Sequence, residues 1–521
     1  MPILKNSLQT VFEVNGVPSF NEFYNLGIYP WKLVYRGYLP EWHDVPDKSI
    51  AKPDGKRKRF RMNTAKAICS ELANLIWAEG STISVNQYGW DSEDEDPLNY
   101  YIRGIMERNN LDTKMRQLIE ECMALGGGTV RTYVDGQRDE QGLIIDGTAD
   151  VKLAFGMADM FIPLAWDNVR VTEGVFIEKR ASKGWYWTRL EFHKWNGEEY
   201  VVSNEYYKSD KAFTGNTAQD ILGIRSPFCE LWDGLADAVP FKNLQLGLFT
   251  YFKPCMANNL DDNSPLGISI YANAMDTLKA LDIAFDSLGM EMILGKKRII
   301  VPASAVRSVR DSKGIEHRYF DANDSVYEAF YTDSSEQLKI QDNTVELRID
   351  EHIRAINALL DILSFQIGLS EGSLSFDSAK GLKTATEVVS ENSKTYRTVK
   401  LMQMPIRQSI EDMIDEIIDV SCAYDISFTH KGKTYNVYDL VKKGYHKVIS
   451  FDDSIIQDSD AEKAQGIRDV QNGVLSKKSY MVKYMGMTPE DADAELERIK
   501  EESKTMATAR ALNIDWNNLE V

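Results

Sequence analysis

The sequence predicts an α+β, mainly helical protein, and three observations predict it. Apolar residues recur at three- and four-residue spacing across 268–292 and again across 349–367, the signature of two one-sided helices. A helical pattern starts at Thr384 and barely stops before Val420. Residues 129–208 alternate instead, as strands do.

The first helical stripe is Tyr271, Ala274, Met275, Leu278, Leu281, Phe285, Leu288 and Met292. The second is Ile349, Ile353, Ile356, Leu360, Leu363 and Ile367, so the two helices are joined by an excursion of about fifty residues. The stretch 368–383, rich in Gly and Ser, separates the second from the long helix. At about 1.5 Å per residue, a helix over 384–420 is about 55 Å long. Pro405 inside it should bend it, at about 3 kcal/mol unless its neighbours are built for the bend.

A chain of 521 residues is too long for one core and should divide into about two to four domains. Hydrophobic content of 43% and charged content of 27% are those of a folded soluble protein. No run of eighteen apolar residues occurs, and the N-terminal MPILKNSLQT lacks the apolar core of a signal peptide, so a cytosolic chain and no membrane are expected. The five cysteines form no CxxC pair, which indicates neither a disulfide framework nor a zinc ribbon. A net charge of −19 argues against wrapping nucleic acid tightly, but not against a surface past which DNA slides; it also serves solubility alone.

Residues 1–50 read as an irregular, aromatic-rich arm that packs on the chain's own body or on a neighbour. Six basic residues between Lys52 and Arg61 surround Pro53-Asp54-Gly55, a solvated hairpin tip rather than a nucleic-acid patch, since no aromatic platform is interleaved. A helix starts near Asn63; the acidic run 91–96 reads as a solvated loop. Another helix spans 98–125 and stops at Gly126-Gly127-Gly128, which precedes a strand, whereas a phosphate loop follows one. Trp185, Trp187 and Trp195 share strand parity and pack across strands, and His193 beside them is structural. Residues 258–265 read as a cap for the following helix rather than a cation site. After the long helix come a small hairpin insertion (426–448), a strand near 448–454 and three short helices opened by Ser459, Ser476 and Thr488-Pro489.

Chemistry-bearing motifs are few. HExxH, GxSxG and a complete Walker A sequence are absent, and the six histidines show no ligand spacing, so neither catalytic nor metal nor cofactor residues are assigned. A nuclease gathering scattered carboxylates, or another metal enzyme, remains the alternative from a different class.

From residue 258 onward the sequence resembles the portal proteins of tailed bacteriophages, particularly long-tailed phages of Gram-positive hosts. Three stretches carry the likeness: SPLGISIYANAMDTLKALDIAFDSLGMEMILGKKRIIVP (264–302), GLSEGSLSFDSAKGLKTATEVVSENSKTYRTV (368–399) and VISFDDSIIQDSDAEKAQGIRDVQNGVLSKKSYMVKYMGMTPEDADAELERI (448–499). The segment YPWKLVYRGYLPEW (29–42), followed by RMNTAKAICSELANLIWAEG (61–80), is similar as well.

The resemblance implies a ring, usually of twelve subunits, at one capsid vertex. It implies a wing (1–267), stem helices (268–294 and 348–367), a clip (295–347), a tunnel loop (368–383), a long spanning wing helix (384–420) and a crown with C-terminal tail (421–521). Stem packing then falls to Leu278, Leu281, Phe285, Ile356 and Leu360. Clip contacts fall to Lys296, Lys297, Arg298, Arg307 and Arg310, though a surface between identical subunits explains that basic stretch equally well. Gly372, Ser373, Ser375, Ser378, Lys380 and Lys383 fall in the tunnel loop. The implied partners are further copies of the chain, double-stranded DNA in the channel, the terminase ATPase, a head–tail adaptor, and the major capsid and scaffolding proteins. A virion scaffold or adaptor without a channel is the remaining reading.

Overall fold

The computed structural model describes residues 23–46, 55–77, 81–90, 95–137, 144–145, 147–295, 299–302, 308–310, 316–318, 327–330, 341–342, 346–375, 385–451, 466–485 and 492–500 except 494; side chains are described outside 299–342 and 385–392. It divides into two compact units, residues 1–382 with 391–452, and residues 383–390 with 453–521.

The described N-terminal part is helical, not the irregular arm expected. A π-turn over Tyr24–Ile28 runs directly into α1 (Tyr29–Tyr35), with Pro30 in the first turn, where its missing N–H costs nothing. Tyr24, Ile28 and Trp31 are buried, so this aromatic-rich part packs on the chain's own body. A two-stranded ribbon, β1 (Asp44–Pro46) with β2 (Lys56–Lys58), leads to α2 (Thr64–Ile76). Strand β3 (Thr82–Gln87) precedes α3 (Pro97–Arg108) and α4 (Leu111–Leu125).

Asp96 departs from the solvated loop read there. It is buried, accepts from the backbone N of Leu98 at 2.8 Å as the N-cap of α3, and accepts from the Gln87 backbone N at 2.6 Å. The end of α4 agrees with the sequence reading. Gly126 takes φ +79°, and a Cβ there would stand 2.4 Å from the carbonyl oxygen of Gly267, so the turn also admits the close passage of the chain at Gly267–Ile268.

Strand β4 (Gly128–Asp135) lies between β5 (Asp150–Met157) and β12 (Phe249–Phe252). A six-stranded sheet is built from β6 (Phe161–Trp166), β7 (Val171–Ser182), β8 (Trp185–Asn196), β9 (Glu199–Ser209), β10 (Ile224–Ser226) and β11 (Ala238–Lys242). The Asn196-Gly197 hairpin signal falls between β8 and β9, which pair from Tyr186↔Ser209 to Asn196↔Glu199. His193 is buried between Glu191 (3.0 Å) and the Tyr200 hydroxyl (2.9 Å), a structural role as expected.

Residues 258–264 do not cap a helix. The Asn258 side chain accepts from the backbone of Leu260 and Asp261 and donates to Leu266, closing the loop on itself. Helix α5 (Met275–Leu294) begins later, after a 3-10 turn at Ala272–Ala274. Short strands β13 (Ile299–Pro302), β14 (Ser308–Arg310), β15 (Glu316–Arg318), β16 (Tyr327–Phe330) and β17 (Gln341–Asp342) follow, and β13 pairs in parallel with β16. Then come α6 (Ile349–Ile367) and the 39-residue α7 (Ala385–Ala423), which continues through Pro405. A hairpin, β18 (Ser427–His430) with β19 (Lys433–Asn436), precedes a short helix, Val437–Val441, and β20 (Tyr445–Ser450). Strand β20 begins three residues before the sequence placed it, and pairs with β3 from far along the chain. In the second unit, Ser476 accepts from the Ser479 backbone N and opens α8 (Lys477–Met485); Ser459 and Thr488-Pro489 lie outside the described residues.

Candidate functional site

The two helices α5 and α6 pack against each other. Leu278 and Leu281 of α5 and Ile356, Leu360, Leu363 and Ile367 of α6 are buried; each contributes about 1.5–3 kcal/mol by leaving water. Phe285, on the same stripe, is only half-buried. The exposed positions of the pair include apolar side chains among polar ones. Ile283, Met292, Ile293 and Leu294 of α5, with Ile362 and Phe365 of α6, stand exposed, Phe365 at 69%.

The basic ribbon turns its arginines inward while Lys56 and Lys58 stay exposed, as a solvated hairpin would have them; Lys52, Pro53 and Asp54 lie outside the described residues. Arg57 donates to both carboxylate oxygens of Asp286 on α5, at 2.8 and 2.7 Å, and the Phe60 backbone N donates to the same group at 3.0 Å. One turn back, Asp282 accepts from the Met62 backbone N at 2.9 Å and meets His43 Nε2 at 3.0 Å. The Arg57 hydrogen bond, with that of Phe60, holds the Asp286 carboxyl below the usual range against its burial. Arg59 and Arg61 also turn inward, to the carbonyls of Trp42 (2.6 Å) and Gly37 (2.7 Å). The sequence signal for this pairing lies on α5, where Asp282 and Asp286 stand four residues apart on one face and call for cations there.

At the far end of α5, Glu291 accepts from Arg348 at 3.0 Å and fastens the start of α6; that hydrogen bond lowers its pKa. Of the basic clip residues, Lys296, Lys297, Arg298 and Arg307 lie outside the described residues. Arg310 ends β14, in register with Glu316 of β15.

Helix α6 ends at Gly368 with φ +82°, and the Leu369 N–H returns to the Ser364 carbonyl at 2.8 Å. The chain after it is pinned to α7. Thr398 Oγ1 donates to the Gly368 carbonyl at 2.6 Å, and the Ser370 N–H donates to Thr395 Oγ1 at 2.9 Å. Gly372 N donates to Asp361 of α6 at 3.1 Å, and Ser373 Oγ to the Ser370 carbonyl at 2.7 Å. Gly372 and Ser373 thus belong to a pinned loop base, with half-buried Ser375 just beyond; Ser378, Lys380 and Lys383 lie outside the described residues. Thr395 and Thr398 were not singled out from sequence, because a threonine in a long helix carries no signal of what it will cap.

Helix α7 carries a second system. Asp412 takes both nitrogens of a fork from Arg170 at 2.7 Å, Asp415 takes Lys447 at 2.7 Å, and Asp419 accepts from the Gln245 backbone N at 2.8 Å. Glu416 is buried among them, with Thr250 Oγ1 at 2.5 Å and Thr132 Oγ1 at 3.1 Å. Burial, then the neighbouring Asp412 and Asp415, push its pKa well above the ordinary carboxylate value, against the two threonine hydrogen bonds. These acids tie the helix to strands β4 and β12, to β20 and to the loop before β7. A cavity of about 610 Å³ opens beside them, bounded by Trp166, Arg170, Trp195, Tyr251, Pro405 and Glu416. Among the described residues, no group of three or more His, Cys, Asp or Glu is placed to hold a metal ion. None of the described helices is long and apolar enough to cross a membrane.

A clamped helix pair carrying an insertion, a pinned loop and a long bracing helix define a structural protein whose side chains are spent on holding a frame. The family model described as phage portal protein, SPP1 Gp6-like, matches residues 31–508 of the 521, and the chain belongs to that family. The family gives it a portal role at a phage capsid vertex, structural rather than catalytic. No curated protein matches the chain.

Proposed function

We propose that copies of this chain close into a ring, usually of twelve, with α5 and α6 around an axial channel for double-stranded DNA. In this reading residues 368–383 reach toward the DNA, residues 295–347 meet the terminase ATPase and later the head–tail adaptor, and the outer parts meet major capsid and scaffolding proteins. DNA enters during packaging and leaves during ejection through the same channel. The terminase supplies the work.

One observation supports this reading best. A single chain leaves Ile283, Met292, Ile293, Leu294, Ile362 and Phe365 in water along the helix pair. Apolar side chains exposed at several points of one element are relieved when a neighbouring copy covers them. The chain's net charge of −19 suits a bore that repels phosphate and lets the duplex slide.

Mass photometry and negative-stain imaging of the purified protein test the ring. Closed particles with a central hole are expected; monomers at micromolar concentration and under capsid-assembly conditions overturn it, and rings without a bore point to an adaptor. Deleting residues 372–379 should leave rings intact and reduce packaged DNA, so a normal packaged yield removes the loop from the channel.

A further inference from the structure

The segment 426–450 stands apart from the rest of an acidic chain. It holds five lysines, Lys431, Lys433, Lys442, Lys443 and Lys447, against one acid, Asp439. Lys447 is occupied by Asp415 of α7, but Lys431, Lys433, Lys442 and Lys443 are exposed. Asp439 meets Lys442 at 2.7 Å, so the four exposed lysines and this acid together keep a net charge of +3.

Exposed aromatic side chains surround these lysines. Tyr88 is 60% exposed and Tyr438 55%, and Trp90 and Tyr100 are exposed as well. Contacts gather them onto one surface. The Tyr88 ring stacks on His446 at 5.9 Å, and its backbone N donates to the Gly444 carbonyl at 3.1 Å. Gly444 takes φ +80°, and a Cβ there would stand 2.7 Å from the Tyr88 ring, so the turn carrying Lys442 and Lys443 lies directly against Tyr88. On the hairpin side, Tyr100 meets His430 at 4.1 Å. Lys433 lies over the Tyr435 ring at 5.0 Å and Lys442 over the Tyr438 ring at 4.7 Å.

We propose that this surface, formed by the β18–β19 hairpin, the 442–446 turn and the end of β3, binds double-stranded DNA through its phosphates. Lysine ammonium groups supply the attraction, and tyrosine hydroxyls donate to phosphate oxygens. Tyr100 has His430 against its ring at 4.1 Å and Tyr88 lies beside His446, so part of each ring is engaged within the chain, which suits hydroxyl contacts to a backbone better than stacking on unpaired bases. The proposal rests on the portal reading, because it takes its polyanion from the DNA that reading brings to the protein. It gives an acidic protein one local, salt-sensitive foothold on a duplex it otherwise repels.

Fluorescence anisotropy of a short labelled duplex, titrated with the full-length protein over a salt series, tests this. The fourfold variant K431Q/K433Q/K442Q/K443Q should bind at least about tenfold more weakly at low salt, with the slope of log affinity against log salt reduced by about 3. The matching Lys→Arg variant should keep wild-type affinity and slope. Lys443→Gln alone, at an exposed position, should lose about threefold and serves if the fourfold variant misfolds. Unchanged duplex affinity in these variants, a wild-type protein that ignores duplex at low salt, or tighter binding of the single strand overturns the proposal. Mass photometry on the same samples separates the two readings. Rings with no patch-dependent DNA binding overturn this surface alone, whereas absence of rings in the wild type here and under capsid-assembly conditions as well removes the ring reading on which it rests.

Discussion

Arg57 on the β1–β2 ribbon holds both carboxylate oxygens of Asp286 on α5, at 2.8 and 2.7 Å, across 229 residues of sequence. A bidentate fork fixes orientation as well as distance, so the pairing sets how the N-terminal ribbon lies on the helix. It also assigns the basic cluster a job. Its arginines are occupied within the chain, while Lys56 and Lys58 stay exposed.

Breaking this clamp should destabilise the protein unequally from its two sides. Arg57→Ala leaves Asp286 the Phe60 N–H and is expected to cost about 1.5–3 kcal/mol, whereas Asp286→Ala strips Arg57 and the Phe60 N–H at once and should cost more. The double variant should cost less than the two together by more than about 1 kcal/mol, read by urea denaturation of the protomer. Because Arg57 lowers the Asp286 pKa, the contribution is present in full above the unfolded carboxylate's pKa, near about 4, and is lost as pH falls through the lower folded value. Simple additivity would show that the two side chains do not stabilise each other.

A glycine inside α5 serves the same contact. Gly289 would ordinarily cost a helix about 1 kcal/mol relative to alanine. Here a Cβ would stand 2.6 Å from the Phe60 ring, which lies on the helix at that point. Gly289→Ala should therefore bring no gain in the wild-type background and gain about 0.5–1 kcal/mol in a Phe60→Ala background. Equal effects in the two backgrounds, measured by thermal denaturation, would show that the close approach does not matter.

How much of this was legible depends on the range of the interaction. The stripes of α5 and α6 were readable because a helix repeats its burial every three to four residues, and Leu278, Leu281, Ile356 and Leu360 are all buried. The glycine stop at 126 and the hairpin at 196–197 were readable because turn chemistry is local. Long-range pairing was not. Nothing near Arg57 points to Asp286, nothing near Tyr445 points to β3, and Thr395 gives no local hint that it holds Ser370. Asp96 was misread for the same reason, since a cap inside an acidic run looks like any other acid until its neighbours fold around it.

Leu281 and Phe285 share a stripe but should fail in different assays. Leu281 is fully buried, so Leu281→Asp places an unpaired charge in the α5–α6 core and should cost the protomer more than about 3 kcal/mol. Phe285 is half-buried, so Phe285→Asp should cost the protomer less while impairing ring assembly. Denaturation of the protomer and mass photometry of assembly, run on both variants, check the split. Equal loss of protomer stability would place Phe285 in the core instead.

The loop base offers a readout independent of assembly. Thr395→Val and Thr398→Val remove the hydroxyls that hold Ser370 and Gly368 while keeping side-chain volume. The pair should cost about 1 kcal/mol each at most globally. Hydrogen exchange at Leu369, Ser370 and Gly372 should quicken well beyond the rest of α6, because these amides depend on the pinned geometry. Unchanged exchange there would mean that the helix end alone fixes the loop.

Glu416 makes the sharpest pH prediction. Its folded-state pKa is raised by burial, so the native protein retains a proton that the unfolded chain releases above its ordinary value. With more protons bound in the native state, stability falls as pH rises; the benefit is whole below the unfolded pKa and is lost as pH climbs through the folded one. Within that window the decline is up to about 1.4 kcal/mol per pH unit from this residue. Glu416→Gln keeps the contacts with Thr250 and Thr132 and cannot ionise. Urea denaturation in steps from pH 5 to about pH 8 should show the variant gaining on the wild type as pH rises. Parallel curves would mean that Glu416 is already charged in the fold, and that Thr132 and Thr250 bind a carboxylate rather than an acid.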